Sequence, residues 1–163
     1  MFNFFKKKET KYSVHAVANG TTVALKDVPD PTFAEEMIGK GVAILPTDGK
    51  VVAPVSGTVS MVFPTNHAVG LVDENGVEVL VHIGIDTVKL DGKGFTCFVE
   101  NGQKVKKGDK LLELDLEYLR ANAPSLCSPI LCTELQSNQK IRLLAHGEIK
   151  AGEPLYAVDT YQD

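Results

Sequence analysis

The chain has 163 residues, 44% of them apolar and 23% charged, with a net charge of −4. These are the proportions of a single globular domain with a proper core, and they exclude both a nucleic-acid footprint and an acid-rich disordered chain. No run approaches the ~20 apolar residues of a membrane-spanning helix. Cys97, Cys127 and Cys132 are odd in number and form no CxxC pair, which speaks against a disulfide framework and for a reducing compartment, the cytoplasm.

Met1-Phe2-Asn3-Phe4-Phe5-Lys6-Lys7-Lys8 lacks the apolar stretch and cleavage site of a signal peptide. Residues 1–12 are expected to form a solvated, flexible tail, whose aromatics and lysines would also suit a weak membrane-surface contact. Met1 favours a free-standing chain. The domain is expected over 13–163. Residues 12–25 alternate loosely, with Asn19-Gly20 as a turn. Pro29-Asp30-Pro31-Thr32 precedes a single helical turn or short helix over Phe33–Ile38, ending at Gly39 and capped by Asp30 or Thr32. Strands are expected at Val42–Leu45, Lys50–Val52, Gly57–Val62, Met61–Val72, Val77–Ile83, Phe95–Val99, Leu111–Leu116, Ile130–Thr133 and Leu155–Val158, with a helical turn at Tyr118–Ala121. Short strands at regular spacing, broken by Gly, Pro and Asn, predict an all-β antiparallel sandwich or barrel. Val105-Lys106-Lys107-Gly108-Asp109-Lys110-Leu111 is echoed by Ile149-Lys150-Ala151-Gly152-Glu153-Pro154-Leu155. Two such units suggest pseudo-symmetry, since a solenoid would need at least three.

The hairpin around Asp73-Glu74-Asn75-Gly76 carries the chemistry. With a loop of residues 73–76, Val72 pairs with Val77 and His67 falls opposite His82. A tighter turn about Asn75-Gly76 makes the two histidines diagonal neighbours. Either register keeps them on one face, at a Cβ separation of roughly 4.5–8 Å. Phe63, Thr65, Glu78 and Leu80 share that face, and Val77, Val79 and Val81 point into the core. A neutral imidazole is a competent nucleophile at neutral pH, provided its tautomer is fixed and a neighbour holds the arriving charge. Phosphoryl transfer asks for this kind of positioning. Thr65 is placed to orient His67, and Gly84 to leave the face open beside His82. His15 and His146 have no such company and read as structural.

Gly76-Val77-Glu78-Val79-Leu80-Val81-His82-Ile83-Gly84-Ile85-Asp86-Thr87-Val88 resembles the phosphorylation-site signature of glucose-family IIA proteins of the bacterial phosphoenolpyruvate-dependent sugar phosphotransferase system. Phe63-Pro64-Thr65-Asn66-His67-Ala68 is similar to the family segment with the second active-site histidine, and Ala53-Pro54-Val55-Ser56-Gly57-Thr58-Val59 to a further family block. The resemblance runs from about Val17 to Ala157. It implies an antiparallel β-sandwich with short helical turns. It implies that His82 is phosphorylated as tele-phosphohistidine by the carrier protein HPr, and that the group passes to a cysteine of the IIB domain of a sugar permease. His67 would stabilise the phosphoryl group, Thr65 would hold His67, and Asp30, Phe33, Met37, Phe63, Leu80 and Asp86 would form the docking face. No cofactor is required, although an accessory zinc bridging His67 and His82 is compatible with the residues. Regulatory protein targets are known for some members.

Two other classes compete. A biotinyl or lipoyl carrier domain shares the look of Ala53–Gly57 and Gly102–Gly108, but needs a lysine at an exposed hairpin tip, where this chain has Asp73-Glu74-Asn75-Gly76. A zinc hydrolase needs three protein ligands, and His67 and His82 would have to recruit Asp86 or Glu78.

Overall fold

Short segments with apolar residues at every second position must bury one face, and here they do so in layered antiparallel sheets. The computed structural model describes residues 7–162, with side chains from Tyr12 onward. The strands are β1 (Lys7–His15), β2 (Gly20–Ala24), β3 (Lys40–Pro46), β4 (Lys50–Val52), β5 (Gly57–Val62), β6 (Ala68–Asp73) and β7 (Glu78–His82). They continue with β8 (Phe95–Cys97), β9 (Lys104–Val105), β10 (Lys110–Leu114), β11 (Ser128–Cys132), β12 (Gln139–Leu143), β13 (Glu148–Ile149) and β14 (Pro154–Gln162). Helices are short: α1 is Pro31–Ala34, α2 is Leu116–Asn122, and single 3₁₀ turns cover Leu25–Asp27 and Thr87–Leu90. An eight-stranded sheet, β13-β2-β3-β11-β7-β6-β5-β9, is joined by three-stranded sheets β1-β14-β12 and β4-β10-β8. The fold is an antiparallel β-sandwich.

The core follows the pleat. Val42 and Ile44, Val69 and Leu71, Val79 and Val81, and Ile130 and Cys132 point inward from the large sheet. They pack with Leu111, Leu112, Leu155 and Tyr156 from the smaller sheets. Burying each large apolar side chain contributes roughly 1.5–3 kcal/mol. The outward positions between them, Ala43, Leu80 and Leu131, build a second cluster with Leu25, Val28, Phe33 and Ile85.

The repeated sequence unit folds into two equivalent turns. Lys106 N donates to the Asp109 carboxylate (2.8 Å) as Lys150 N does to that of Glu153 (2.6 Å). Gly108 N reaches Ala53 O and Gly152 N reaches Ala16 O, each at 2.9 Å. Both glycines have φ near +90°, which an L side chain would resist. Val105 then pairs with Gly57 as Ile149 pairs with Gly20, so the halves are related by a pseudo-twofold.

Three expectations need correction. First, β1 starts at Lys7 and pairs with β14, so the segment expected as a tail over 1–12 is a strand from Lys7 onward. Residues 1–6, with their proposed membrane contact, lie outside the described residues. Second, the helical turn expected over Phe33–Ile38 is a single turn but lies earlier, at Pro31–Ala34, with Asp30 as its cap through Thr32 N (2.9 Å). Third, Met61–Val72 is not one strand. Pro64, Thr65 and Asn66 form a turn between β5 and β6, closed by Asn66 N on Phe63 O (2.7 Å) with Asn66 in the left-handed region.

Candidate functional site

The β6–β7 hairpin closes in neither of the expected registers. Asp73 N donates to Val77 O (2.9 Å), leaving the three-residue loop Glu74-Asn75-Gly76 with Gly76 at positive φ. The Asp73 carboxylate caps this loop by accepting from Asn75 N (2.8 Å) and Val77 N (3.0 Å). Val72 therefore faces Glu78, and Ala68, not His67, faces His82. In an unbroken strand this odd step would send His67 into the core beside Val69. It does not, because β6 begins only at Ala68 and the Pro64–Asn66 turn frees the preceding residue from the pleat. The two imidazole rings meet edge to face with centroids 5.0 Å apart.

Hydrogen bonds fix what each ring presents. His82 Nδ1 lies 2.9 Å from the Gly84 carbonyl, which can only accept, so Nδ1 carries the proton and Nε2 the lone pair. Nε2 has no hydrogen-bond partner among the described residues. Thr65 Oγ1 lies 2.6 Å from His67 Nδ1. With the hydroxyl donating, His67 keeps its proton on Nε2, so a ring that meets His82 edge to face carries a donor that is free among the described residues.

Burial pushes the His82 pKa down to about 4. Proximity to His67 acts in the same direction, while the Gly84 bond, Asp30 and Asp86 oppose it. Burial also lowers that of His67, which is only 4% exposed. Both rings are neutral at pH 7, one an acceptor and the other a donor.

The surrounding face differs in part from expectation. Phe33 is not exposed as expected. It is buried, packs into the second apolar cluster and lies against His82 with ring centroids 4.9 Å apart. Leu80 is half-buried on the same cluster, and half-buried Phe63 meets His67 edge-on at 5.5 Å. Met37 is 71% exposed. Asp30 caps α1, and Asp86 pairs loosely with Lys89 at 3.9 Å. Gly84 does not leave an opening. At φ +73° it is buried, and a Cβ there would meet Thr87 Cγ2 at 2.7 Å and Ser125 O at 2.9 Å. Its contribution is the carbonyl.

Val88 is exposed on the 3₁₀ turn that follows Asp86. His15 and His146 stand outside this constellation, as expected. Larger clefts, about 450 Å³ beside Gly57 and Lys104 and about 360 Å³ beside Gly20 and Glu148, are lined by no histidine. Among the described residues no three His, Cys, Asp or Glu side chains converge as a metal site, so the third ligand of a catalytic zinc centre is missing from the donor set. The β6–β7 tip carries a carboxylate-capped turn where a biotinyl or lipoyl domain needs lysine.

Residues 12–138 match the family described as phosphoenolpyruvate-dependent sugar phosphotransferase system, EIIA 1. The chain is 48% identical over 143 residues to a glucose-specific EIIA component of this system from Staphylococcus epidermidis, covering 88% of this chain and 86% of that protein. It is 47% identical over 133 residues to a glucose-specific EIICBA component from Staphylococcus saprophyticus, covering 82% of this chain and 20% of that one. Among solved structures, glucose permease IIA from Mycoplasma capricolum superposes with a TM-score of 0.85 at 41% identity, covering 97% and 99% of the two chains. No helix among the described residues is long and apolar enough to cross a membrane. With two neutral, oriented imidazoles on one sheet face and family likeness along nearly its whole length, the chain belongs to the EIIA 1 family and is a phosphotransfer component of the sugar phosphotransferase system.

Proposed function

We propose that this protein is a phosphoryl carrier in which His82 takes the group from phospho-HPr and gives it to a cysteine of a permease IIB domain. The observation that carries this reading is the bond from His82 Nδ1–H to the Gly84 carbonyl, which leaves Nε2 as the nucleophile. Nε2 attacks phosphorus, the new N–P bond forms, and the N–P bond to the donor imidazole breaks. In the second half-reaction a thiolate attacks the phosphohistidine and the His82 N–P bond breaks. His67 Nε2–H donates to the phosphoryl oxygens, with Thr65 holding the ring. The arriving negative charge favours protonation of His67, which then balances it. The EIICBA relative, whose name joins an A component to C and B components, supports a IIB acceptor. Met37, Phe63, Leu80 and Val88 supply the apolar docking face, and Asp30 and Asp86 favour basic partners. An accessory zinc would take His67 and His82 as two nitrogen donors and complete its shell from water or a partner. The reading also places the protein in the cytoplasm.

The test is incubation with phosphoenolpyruvate, the general phosphotransferase enzyme and HPr, followed by intact mass at neutral or alkaline pH. One acid-labile phosphoryl group on His82 is expected. A protein that stays unmodified while HPr is phosphorylated sinks the reading.

A further inference from the structure

The bond that selects the His82 tautomer is only as firm as the backbone that aims the Gly84 carbonyl. This backbone leaves the β7 ladder, because β7 ends at His82, Ile83 N makes one last bond to His67 O (2.8 Å), and Gly84 turns left-handed at φ +73°. It is held by contacts from other elements. Gly84 N donates to Ser128 Oγ (3.0 Å), and the same hydroxyl donates to Leu126 O (2.7 Å). Thr87 Oγ1 donates to Ile83 O (2.5 Å), and Ile85 N to Ser125 O (2.9 Å). Ser128, 1% exposed, opens β11, where its backbone pairs with Ile44 on β3. Its hydroxyl is thus fixed as acceptor to one peptide and donor to another, with no freedom to rotate without leaving a buried group unpaired.

We propose that Ser128 is a positioning residue for phosphoryl acceptance, whose hydroxyl fixes the Ile83–Gly84 peptide and through it the left-handed turn at Gly84, so that the carbonyl of the following Gly84–Ile85 peptide keeps His82 in its Nδ1–H tautomer. The inference rests on His82 being the acceptor, but its direct readout does not. Without the hydroxyl, Gly84 N–H loses its acceptor in a buried site and the peptide tilts to find another. The Gly84 carbonyl belongs to the next peptide, Gly84–Ile85, which is pinned at its far end by Ile85 N on Ser125 O. The change of Gly84 φ swings it off Nδ1, and part of the His82 population protonates Nε2, the nitrogen that must attack. Ser128 touches no surface, so its loss acts on the histidine and not on partner contact.

The experiment uses full-length protein with 15N-labelled histidine and compares Ser128→Ala and the near-isosteric pair Ser128→Thr and Ser128→Val. In the native protein, two-dimensional imidazole 15N spectra at pH 7.5 should show widely split His82 nitrogens, the signature of a single Nδ1–H tautomer. Thr should preserve that pattern, whereas Ala and Val should draw the two shifts together. Outer partners that set a histidine tautomer at metal sites are worth about 10- to 100-fold, and a fall near the lower end is expected here in the acceptance rate at saturating phospho-HPr. Half-saturation should not move. Should Ala unfold the chain, the Thr–Val pair still isolates the hydroxyl at nearly constant shape. Unchanged His82 shifts in a folded Ala or Val variant, or an averaged tautomer in the native protein, overturn the proposal. Absence of phosphorylation in the native protein with a single Nδ1–H tautomer overturns the carrier reading instead, so the two failures are distinct.

Discussion

His15 and His82 are anchored alike and differ at one nitrogen. Each presents Nδ1 to a backbone carbonyl, Gly152 O at 2.7 Å and Gly84 O at 2.9 Å. In His15 the other nitrogen is also taken, by Ser13 Oγ at 2.9 Å, and the ring ties β1 to the turn before β14. In His82 that nitrogen has no hydrogen-bond partner among the described residues, and the ring meets a second imidazole edge to face. A histidine with both nitrogens satisfied is a strut, and one with a fixed tautomer and a free lone pair is a nucleophile in waiting. The fold's own symmetry makes the same point. Ala68 pairs with His82 five positions before Asp73, and Gly41 pairs with Leu131 five before Pro46. Asp73 and Pro46 in turn face the equivalent glycines Gly57 and Gly20. The twin of His82 is therefore Leu131, buried under α1. Chemistry sits where the halves depart from each other.

The comparison breaks hardest on deletion. His82→Ala should abolish phosphorylation and leave the fold intact, since the residue lies on the outward face of β7. His15→Ala should do the reverse, keeping acceptance while losing stability of about 0.5–1.5 kcal/mol per hydrogen bond removed. Intact mass and urea midpoints on both variants check this. Phosphorylation surviving on His82→Ala would refute the assignment.

Much of this contrast was legible in the sequence. The strands Lys50–Val52 and Gly57–Val62 could be read from apolar runs bounded by Gly and Pro, and they fold with those boundaries. The two turn units were visible as a repeat. The pairing of His67 with His82 was also foreseen, but by a geometry that does not occur. A hairpin register shifts by one with loop closure, and whether Asp73 pairs with Val77 depends on cap bonds that residue identities do not fix. The turn at Pro64–Asn66 then restores the meeting that the register takes away. Phe33 was expected on an exposed docking face from the family resemblance, and its position in a short helix says nothing of what lies beneath it. The second cluster assembles from Leu25, Ala43, Ile85 and Leu131, far apart in sequence.

His67→Gln sharpens the comparison from the other side. Glutamine can keep an N–H near the phosphoryl oxygens but cannot become a cation. Acceptance from HPr should therefore survive better than onward donation. The loss of a contact that strengthens in the transition state costs about 10²–10³ in rate. Measuring the two half-reactions separately checks this, and undiminished donation to IIB makes His67 a bystander. The docking face should give less. Met37→Ser, on a side chain that is 71% exposed, should weaken transfer about tenfold at limiting HPr without moving the thermal midpoint. Leu80→Glu should weaken transfer further but also lose stability, because Leu80 packs on the second cluster.

The smallest effect is expected from pH, and it arises from the same burial that prepares His82. In the unfolded chain its imidazole titrates at the ordinary value of about 6.5, whereas in the fold burial holds it down to about 4. The depressed value means that the folded state prefers the neutral ring. The stability contributed by that preference is fully present above about 6.5 and is lost as pH falls from there through about 4. The nucleophile should therefore remain deprotonated on Nε2 from pH 8 down to about 5, and acceptance corrected for donor chemistry should be nearly flat over that range. His15, also lowered by burial, should titrate without any effect on acceptance. Titration of the imidazole 15N shifts alongside the acceptance rate separates the two rings. A His82 midpoint near 6.5 in the folded protein would show that water reaches the ring freely, and the packing of Phe33 against it would then have no electrostatic consequence.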